Sequence, residues 1–204
     1  QHSQSLHALV AHVPGLKVAM PSSAYEAKGL LKTAIRDNNP VVIFEDKLMY
    51  QDKAFVPDEE YLLPFGEAAI LKEGSDVTLI GTSSMRQVCE RAAILLDKDG
   101  INAEVIDPRT IVPLDENTIL NSVKKTSRAI VVDEGHQNFG TTAEIASRIS
   151  EKAFYYLDAP VIRMGAMDVP IPFSPVLEDL TVPTAERVAE NARKIVSGEL
   201  VHAL

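Results

Sequence analysis

Three histidines open the chain at a fixed interval: His2, His7 and His12. An imidazole can ligate a metal, carry a proton or sit neutral in a core. A spacing of five turns successive positions by about 140° on a helix, so the three do not share a face and are not expected to form a metal cluster. His2 stands in a polar setting of glutamines and a serine, which leaves proton chemistry open beside the ordinary structural role. A second concentration is Asp133-Glu134-Gly135-His136-Gln137-Asn138-Phe139-Gly140, with two carboxylates, an imidazole and two amides. No further ligands recur at metal-site spacing. The run is therefore expected to be a loop held for subunit contacts near a shared site, with direct catalysis by His136 as the alternative. Gly81-Thr82-Ser83-Ser84 sits between an apolar run and a helical pattern. A helix N-terminus there could hold an anion, but no GxGxxG or GxxxxGK[ST] pattern accompanies it, so a strand-to-helix turn with a serine cap is expected. Cys89, among Val88, Ala92 and Ala93, reads as a small buried hydrophobe. No Ser-His-Asp spacing, CxxC pair or HExxH motif is present.

These residues need elements to position them. Leu6, Leu9 and Val10 have helical spacing, broken by Pro14-Gly15. Leu16–Met20 reads as a strand, and Ser23 with Glu26 forms a capping box for a helix with Ala27, Leu30, Leu31 and Ala34 on one face. Asp37-Asn38-Asn39-Pro40 stops that helix, and Val41–Phe44 is the continuous apolar run of a buried parallel strand. Residues 51–72 are acidic and carry Pro57 and Pro64, which suggests a linker. Beyond it the pattern alternates. Strands are expected at 77–81, 103–106, 129–132 and 160–164. Helices are expected at 85–96 (Val88, Ala92, Leu95), after Asp115 (Ile119, Leu120, Val123), from a Thr141-Thr142 cap (Ile145, Ala146, Ile149), and from Thr184 to Ser197-Gly198. The fold class is α/β, with mostly parallel sheets covered on both faces, and ligands are expected beyond the carboxyl ends of the strands.

Composition bounds the function. With 46% hydrophobic and 24% charged residues in 204, the chain can build a core. A net charge of -9 argues against nucleic acid as a partner and suits basic protein surfaces. No apolar run approaches the roughly 20 residues of a membrane helix. One cysteine excludes an intrachain disulfide and favours a reducing compartment. The opening Gln1-His2-Ser3-Gln4 reads as the middle of a longer protein.

Several stretches then resemble one family. Gln1–Leu6 with His12-Val13-Pro14-Gly15-Leu16-Lys17-Val18, Ala27–Leu31, Ala34–Val42, Val105-Ile106-Asp107-Pro108-Arg109-Thr110-Ile111-Val112-Pro113-Leu114-Asp115, Phe139-Gly140 with Ala143-Glu144-Ile145, and Val169–Pro175 with Leu177-Glu178-Asp179 are similar to the β subunits of thiamine-diphosphate-dependent 2-oxo acid and acetoin dehydrogenases. The resemblance spans nearly the whole chain and is specific to the family, not to one substrate. It implies that residues 1–50 are the C-terminal part of a transketolase-like pyrimidine-binding domain, and that 73–204 form a transketolase C-terminal-like domain after the 51–72 linker. It also implies a thiamine diphosphate site shared with an α subunit, which holds the diphosphate and Mg²⁺, and with upstream β residues carrying the activating glutamate.

The resemblance places His2 on the family's active-site histidine, facing the substrate and lipoyl channel, where an imidazole can protonate the opening dithiolane. It places Ala34, Ile35, Asp37 and Asn39 on a turn that binds structural K⁺ in some members. A helix C-terminus with free carbonyls suits a cation there, and a plain helix stop is the alternative. The implied partners are the α subunit, a second β subunit and a lipoyl-bearing core acyltransferase, with no nucleic acid and no membrane. The implied location is the cytoplasm, or the mitochondrial matrix in a eukaryote. Pyruvate, a branched-chain 2-oxo acid and acetoin all stay open. Phe173–Asp179 looks like the acetoin branch, while Ala34–Val42 and Phe154–Pro160 look more like pyruvate enzymes. A non-catalytic assembly module, or a sugar-phosphate thiamine enzyme, are the rival readings.

Overall fold

The structure, a computed structural model, describes residues 2–199. Its larger sheet has the order β3-β5-β4-β7-β8. Strands β4 (Val77–Gly81), β5 (Ala103–Asp107), β7 (Ala129–His136) and β8 (Ile162–Ala166) run parallel, and β3 (Ala69–Lys72) pairs antiparallel with β5 at one edge. Every residue of β4 and β5 is buried, as expected for parallel strands covered on both faces. Helices α3 (Met85–Asp97) and α7 (Ala185–Ser197) enclose one apolar layer around Leu79, Leu96, Val105 and Ile130. Helices α4 (Glu116–Thr126) and α5 (Thr141–Ala153) enclose the other around Ile80, Ile106, Val131 and Ile145. Cys89 is fully buried in the first layer, as its neighbours in sequence suggested.

A smaller sheet has the order β2-β1-β6. Strand β1 (Lys17–Ala19) pairs parallel with β2 (Val41–Ile43) around helix α2 (Ala24–Arg36), which gives the expected strand-helix-strand unit. Ser23 caps α2 as the sequence signalled, with its hydroxyl accepting from the Glu26 amide. The third strand, β6 (Thr110–Val112), pairs antiparallel with β1 and comes from the chain directly after β5. The later half of the chain therefore completes the sheet of the earlier half.

Several expectations are corrected. Strand β2 is parallel but only half-buried, because it lies at the edge of three strands. Leu31 is 50% exposed, so α2 buries Leu30 and Gly29 rather than a four-residue stripe. The stretch 51–72 contains β3, and its middle lies along α2: Tyr61 stacks on Tyr25 at 4.6 Å, and the Thr33 hydroxyl donates to the Leu63 carbonyl at 2.8 Å. Helix α5 is capped by Gly140, not by a threonine, and the hydroxyls of Thr141 and Thr142 are buried without partners among the described residues. Ser84 stands at the α3 N-cap, but its hydroxyl reaches Glu134 instead of the helix. Asp115 and Thr184 cap α4 and α7 as expected, and Gly198 ends α7 at φ +81°. A short helix α6 (Pro175–Thr181) falls where periodicity gave no element.

Candidate functional site

The carboxyl ends of β4, β5 and β7 all meet the unit built on β1 and α2, and each contributes polar groups there. At the end of β5, Asp107 accepts from the Ser22 hydroxyl and from the Arg109 amide. Arg109, at φ +57°, reaches Glu26 on α2 at 3.4 Å, and its carbonyl accepts from the Met20 amide at 2.8 Å. Burial raises the Asp107 carboxyl to about 6. The bonds from Ser22 and Arg109 oppose the rise, and the negative Glu26 adds to it.

At the ends of β4 and β7 lies a second cluster. Asp133 is 1% exposed and receives the Thr82 hydroxyl at 2.8 Å and the Gly135 amide at 3.3 Å on one oxygen. Its other oxygen meets Nε2 of His7, itself 1% exposed, at 2.7 Å. Burial works against charge on both groups. For His7 the hydrogen bond and attraction of Asp133 outweigh it and raise the imidazole above its ordinary value. For Asp133 the same bond, with Thr82 and Gly135, outweighs burial and lowers the carboxyl. The result is a buried histidine–aspartate pair, biased towards the charged form of each, whose geometry is fixed from three elements. Removing one partner of such a pair costs about 3–5 kcal/mol, because the other is left uncompensated.

The next residue, Glu134, opens into a cleft of about 480 Å³, also lined by His2, Ser5, Phe44, Asp46, Lys47 and Phe173. Burial pushes Glu134 up to about 7. The facing charge of Asp46 adds to this, the Ser5 hydrogen bond lowers it, Asp133 raises it again, and His7 lowers it. His2 is exposed at this cleft, and its backbone has φ +62°. A non-glycine residue in the left-handed region stores strain, a feature that concentrates at functional sites.

Of the other sequence candidates, His7, Ser83 and Glu134 also line this cleft, and the rest lie away from it. The Asp133-to-His136 run is not a loop but the end of β7, and only residues 137–140 connect it to α5. His136 turns Nδ1 onto the Met167 carbonyl at 2.8 Å and does not line the His2 cleft. Ala34, Ile35, Asp37 and Asn39 sit together where α2 ends. Asp37 donates its amide to the Ala34 carbonyl, and its carboxylate accepts from the Asn39 amide and pairs with Lys17. The Lys17 bond, then those from Asn39, hold Asp37 at about 2. Among the described residues, no three His, Cys, Asp or Glu side chains converge as metal ligands. No described helix is long and apolar enough to cross a membrane. Sequence reasoning missed the His7–Asp133 pair. The only signal was a histidine on a short apolar helix and an aspartate at the end of an apolar strand, with nothing to link positions 126 residues apart.

Comparison with known proteins agrees with this arrangement. Residues 1–53 match the pyrimidine-binding domain of transketolase, and residues 66–188 match the transketolase C-terminal domain. Over 188 residues the chain is 47% identical to the acetoin:2,6-dichlorophenolindophenol oxidoreductase subunit beta of Bacillus subtilis, covering 92% of this chain and 55% of that one. Over 195 residues it is 47% identical to the pyruvate dehydrogenase E1 component subunit beta of Rickettsia felis, covering 96% of this chain and 60% of the relative. The chain thus spans a little over half the length of these curated relatives. Among solved structures, a split-gene transketolase forming an inactive beta4 tetramer superposes with a TM-score of 0.78 at 26% identity, over 94% of this chain and 60% of that one.

Proposed function

Because the chain belongs to the transketolase family, with that family's C-terminal domain at residues 66–188 and its pyrimidine-binding domain at 1–53, we propose that it is part of the β subunit of a thiamine-diphosphate-dependent dehydrogenase. That enzyme decarboxylates a pyruvate-like 2-oxo acid and passes the acyl group to a lipoyl partner. The observation that carries the reading is the strained, exposed His2 at a cleft bounded by both units.

The cleft suits the reacting end of thiamine diphosphate and not its diphosphate. Glu45, Asp46, Glu134 and Glu178 line it against Lys47, so phosphate oxygens would meet net negative charge there. On this reading the diphosphate and Mg²⁺ are held by the α subunit, and the activating glutamate by the rest of the β subunit. The bound cofactor supplies the carbanion chemistry that releases CO₂ from the substrate. This chain's share is acid-base work: the imidazole of His2 gives a proton to a dithiolane sulfur as the ring opens, a role worth about 10²–10⁴ in rate. Phe44 and Phe173 give the cleft apolar walls.

The turn of Ala34, Ile35, Asp37 and Asn39 is proposed to take K⁺. The ionised Asp37 and the carbonyls at the α2 C-terminus suit a cation, and the ammonium of Lys17 is the competitor for the same carboxylate. Phe55, Phe139, Tyr155, Phe173 and Val176 are each at least 74% exposed. Large apolar groups left open in this number suit burial against an α subunit, a second β subunit and a lipoyl-bearing core. Such a complex would work in the cytoplasm or the mitochondrial matrix.

Acetoin is a second substrate reading. The segment Phe173–Asp179, which resembles the acetoin branch, contributes Phe173 and Glu178 to the His2 cleft. The test assembles the full-length β subunit with its α subunit, thiamine diphosphate and Mg²⁺. It then measures dye-linked oxidation and lipoyl acylation from pyruvate, branched-chain 2-oxo acids and acetoin. The His2→Ala variant should lose lipoyl acylation 100-fold or more while still binding thiamine diphosphate. Undiminished transfer would remove His2 from the mechanism, and inactivity of the wild-type complex on every substrate would remove the enzyme reading.

A further inference from the structure

Residues 2–6 carry His2 but contain no regular element, and the helix that follows, α1 (His7–Ala11), is only five residues long. Its first-turn amides receive no side-chain cap, and Leu6 and Leu9 project outward at 50% and 68% exposure. Val10 and Ala11 pack the far side of α1 on the Val18, Met20 and Ile111 cluster, but ahead of α1 local structure and apolar burial do little to fix the path of the chain. Polar bonds to the end of β7 do more. His7 joins Asp133 at 2.7 Å, and Ser5 stands close enough to Glu134 to favour its charged form. Asp133 is held in advance by Thr82 and the Gly135 amide, so it offers His7 one fixed oxygen. A Cβ on residue 135 would stand 3.1 Å from the His7 ring, so glycine leaves the room that the imidazole occupies. The Phe44 ring meets the imidazole in a T-shaped contact, its centroid 5.9 Å from that of His7.

We propose that the His7–Asp133 pair is a positioning device: it clasps the start of the chain to the end of β7 and so sets where the His2 imidazole stands in the cleft. The pair touches no substrate and acts through His2, so this inference rests on the role proposed for His2 above. The amide of a glutamine can place a donor near the position of the imidazole Nε2, and His7→Gln should keep the clasp. The double variant His7→Leu/Asp133→Asn should open it without burying a charge, because the Asn oxygen can still accept from Thr82 and Gly135.

The experiment uses the full α–β complex and two readouts. The first is amide hydrogen exchange at residues 9, 12 and 13, whose amides bond the carbonyls of Leu6, Ala8 and Val10, and the second is the split between KM and kcat for lipoyl acylation. The clasp predicts that in the double variant exchange at residues 9, 12 and 13 rises at least tenfold and kcat falls at least tenfold with KM for the 2-oxo acid unchanged, while His7→Gln stays within threefold of wild type on both. A melting temperature for each variant separates loss of the clasp from loss of the fold. Unchanged exchange in a folded double variant would overturn the clasp, and raised exchange with unchanged kcat would overturn its positioning role. Exchange does not depend on His2 chemistry, so the clasp can fail while His2→Ala still abolishes transfer, and the reverse.

Discussion

Replacing Asp107 by asparagine should change how stability depends on pH, and the structure sets the sign. Asp107 is fully buried at the end of β5, where it receives the Ser22 hydroxyl and the Arg109 amide and so ties the larger sheet to the chain entering α2. Burial outweighs those two bonds and lifts its carboxyl from the ordinary 3.8 to about 6. The folded protein therefore holds this proton more tightly than the unfolded chain. The contribution is fully present below about pH 4 and is lost as pH climbs to about 6. A rise of about two pH units, at about 1.4 kcal/mol each, makes the loss about 3 kcal/mol. Asparagine has the same shape, can accept from the Arg109 amide and cannot ionise. Urea unfolding of both proteins from pH 4 to pH 7.5 isolates the effect, because other titrating groups, Glu134 among them, are common to both. Wild type should lose about 3 kcal/mol relative to the variant across that range, or roughly 1 M in urea midpoint for a slope near 3 kcal/mol/M. A difference curve flat to within about 1 kcal/mol, or one of opposite slope, would refute the argument that burial dominates at Asp107.

Two further outcomes follow from the packing. Gly29→Ala would place a Cβ 2.6 Å from Leu63 Cγ and 3.0 Å from the Tyr61 ring. Overpacking of about 1–3 kcal/mol should exceed the gain of up to about 1 kcal/mol in helix propensity. The thermal midpoint should fall, and limited proteolysis should cut faster in residues 57–65; a variant as stable as wild type would show that this stretch is not docked on α2. At the end of α2, K⁺ should stabilise the fold over Na⁺ at equal ionic strength by roughly 2.7 kcal/mol at a hundred times Kd, read as a raised thermal midpoint. Lys17→Met should strengthen the response by freeing Asp37, and a midpoint indifferent to the cation would remove K⁺ from that turn.

What the amino-acid sequence determined by itself was whatever depends on neighbours in the chain. The apolar runs of β4 and β5, the Ser23, Asp115 and Thr184 caps, the glycine stop at 198 and the burial of Cys89 all follow from spacing that one helix or strand sets. His2 was found through a family resemblance carried by contiguous motifs. Tertiary structure decided which ends come together. β6 left its own unit to complete a sheet begun at Lys17, and β3 formed inside a stretch rich in acids and prolines. Ser84 turned from its helix to Glu134, and His7 found Asp133 across 126 residues. The physical reason is that a hydroxyl or imidazole bonds whatever donor or acceptor the packed sheet brings within about 3 Å. That choice is made by the arrangement of strands and leaves no mark in the residues on either side.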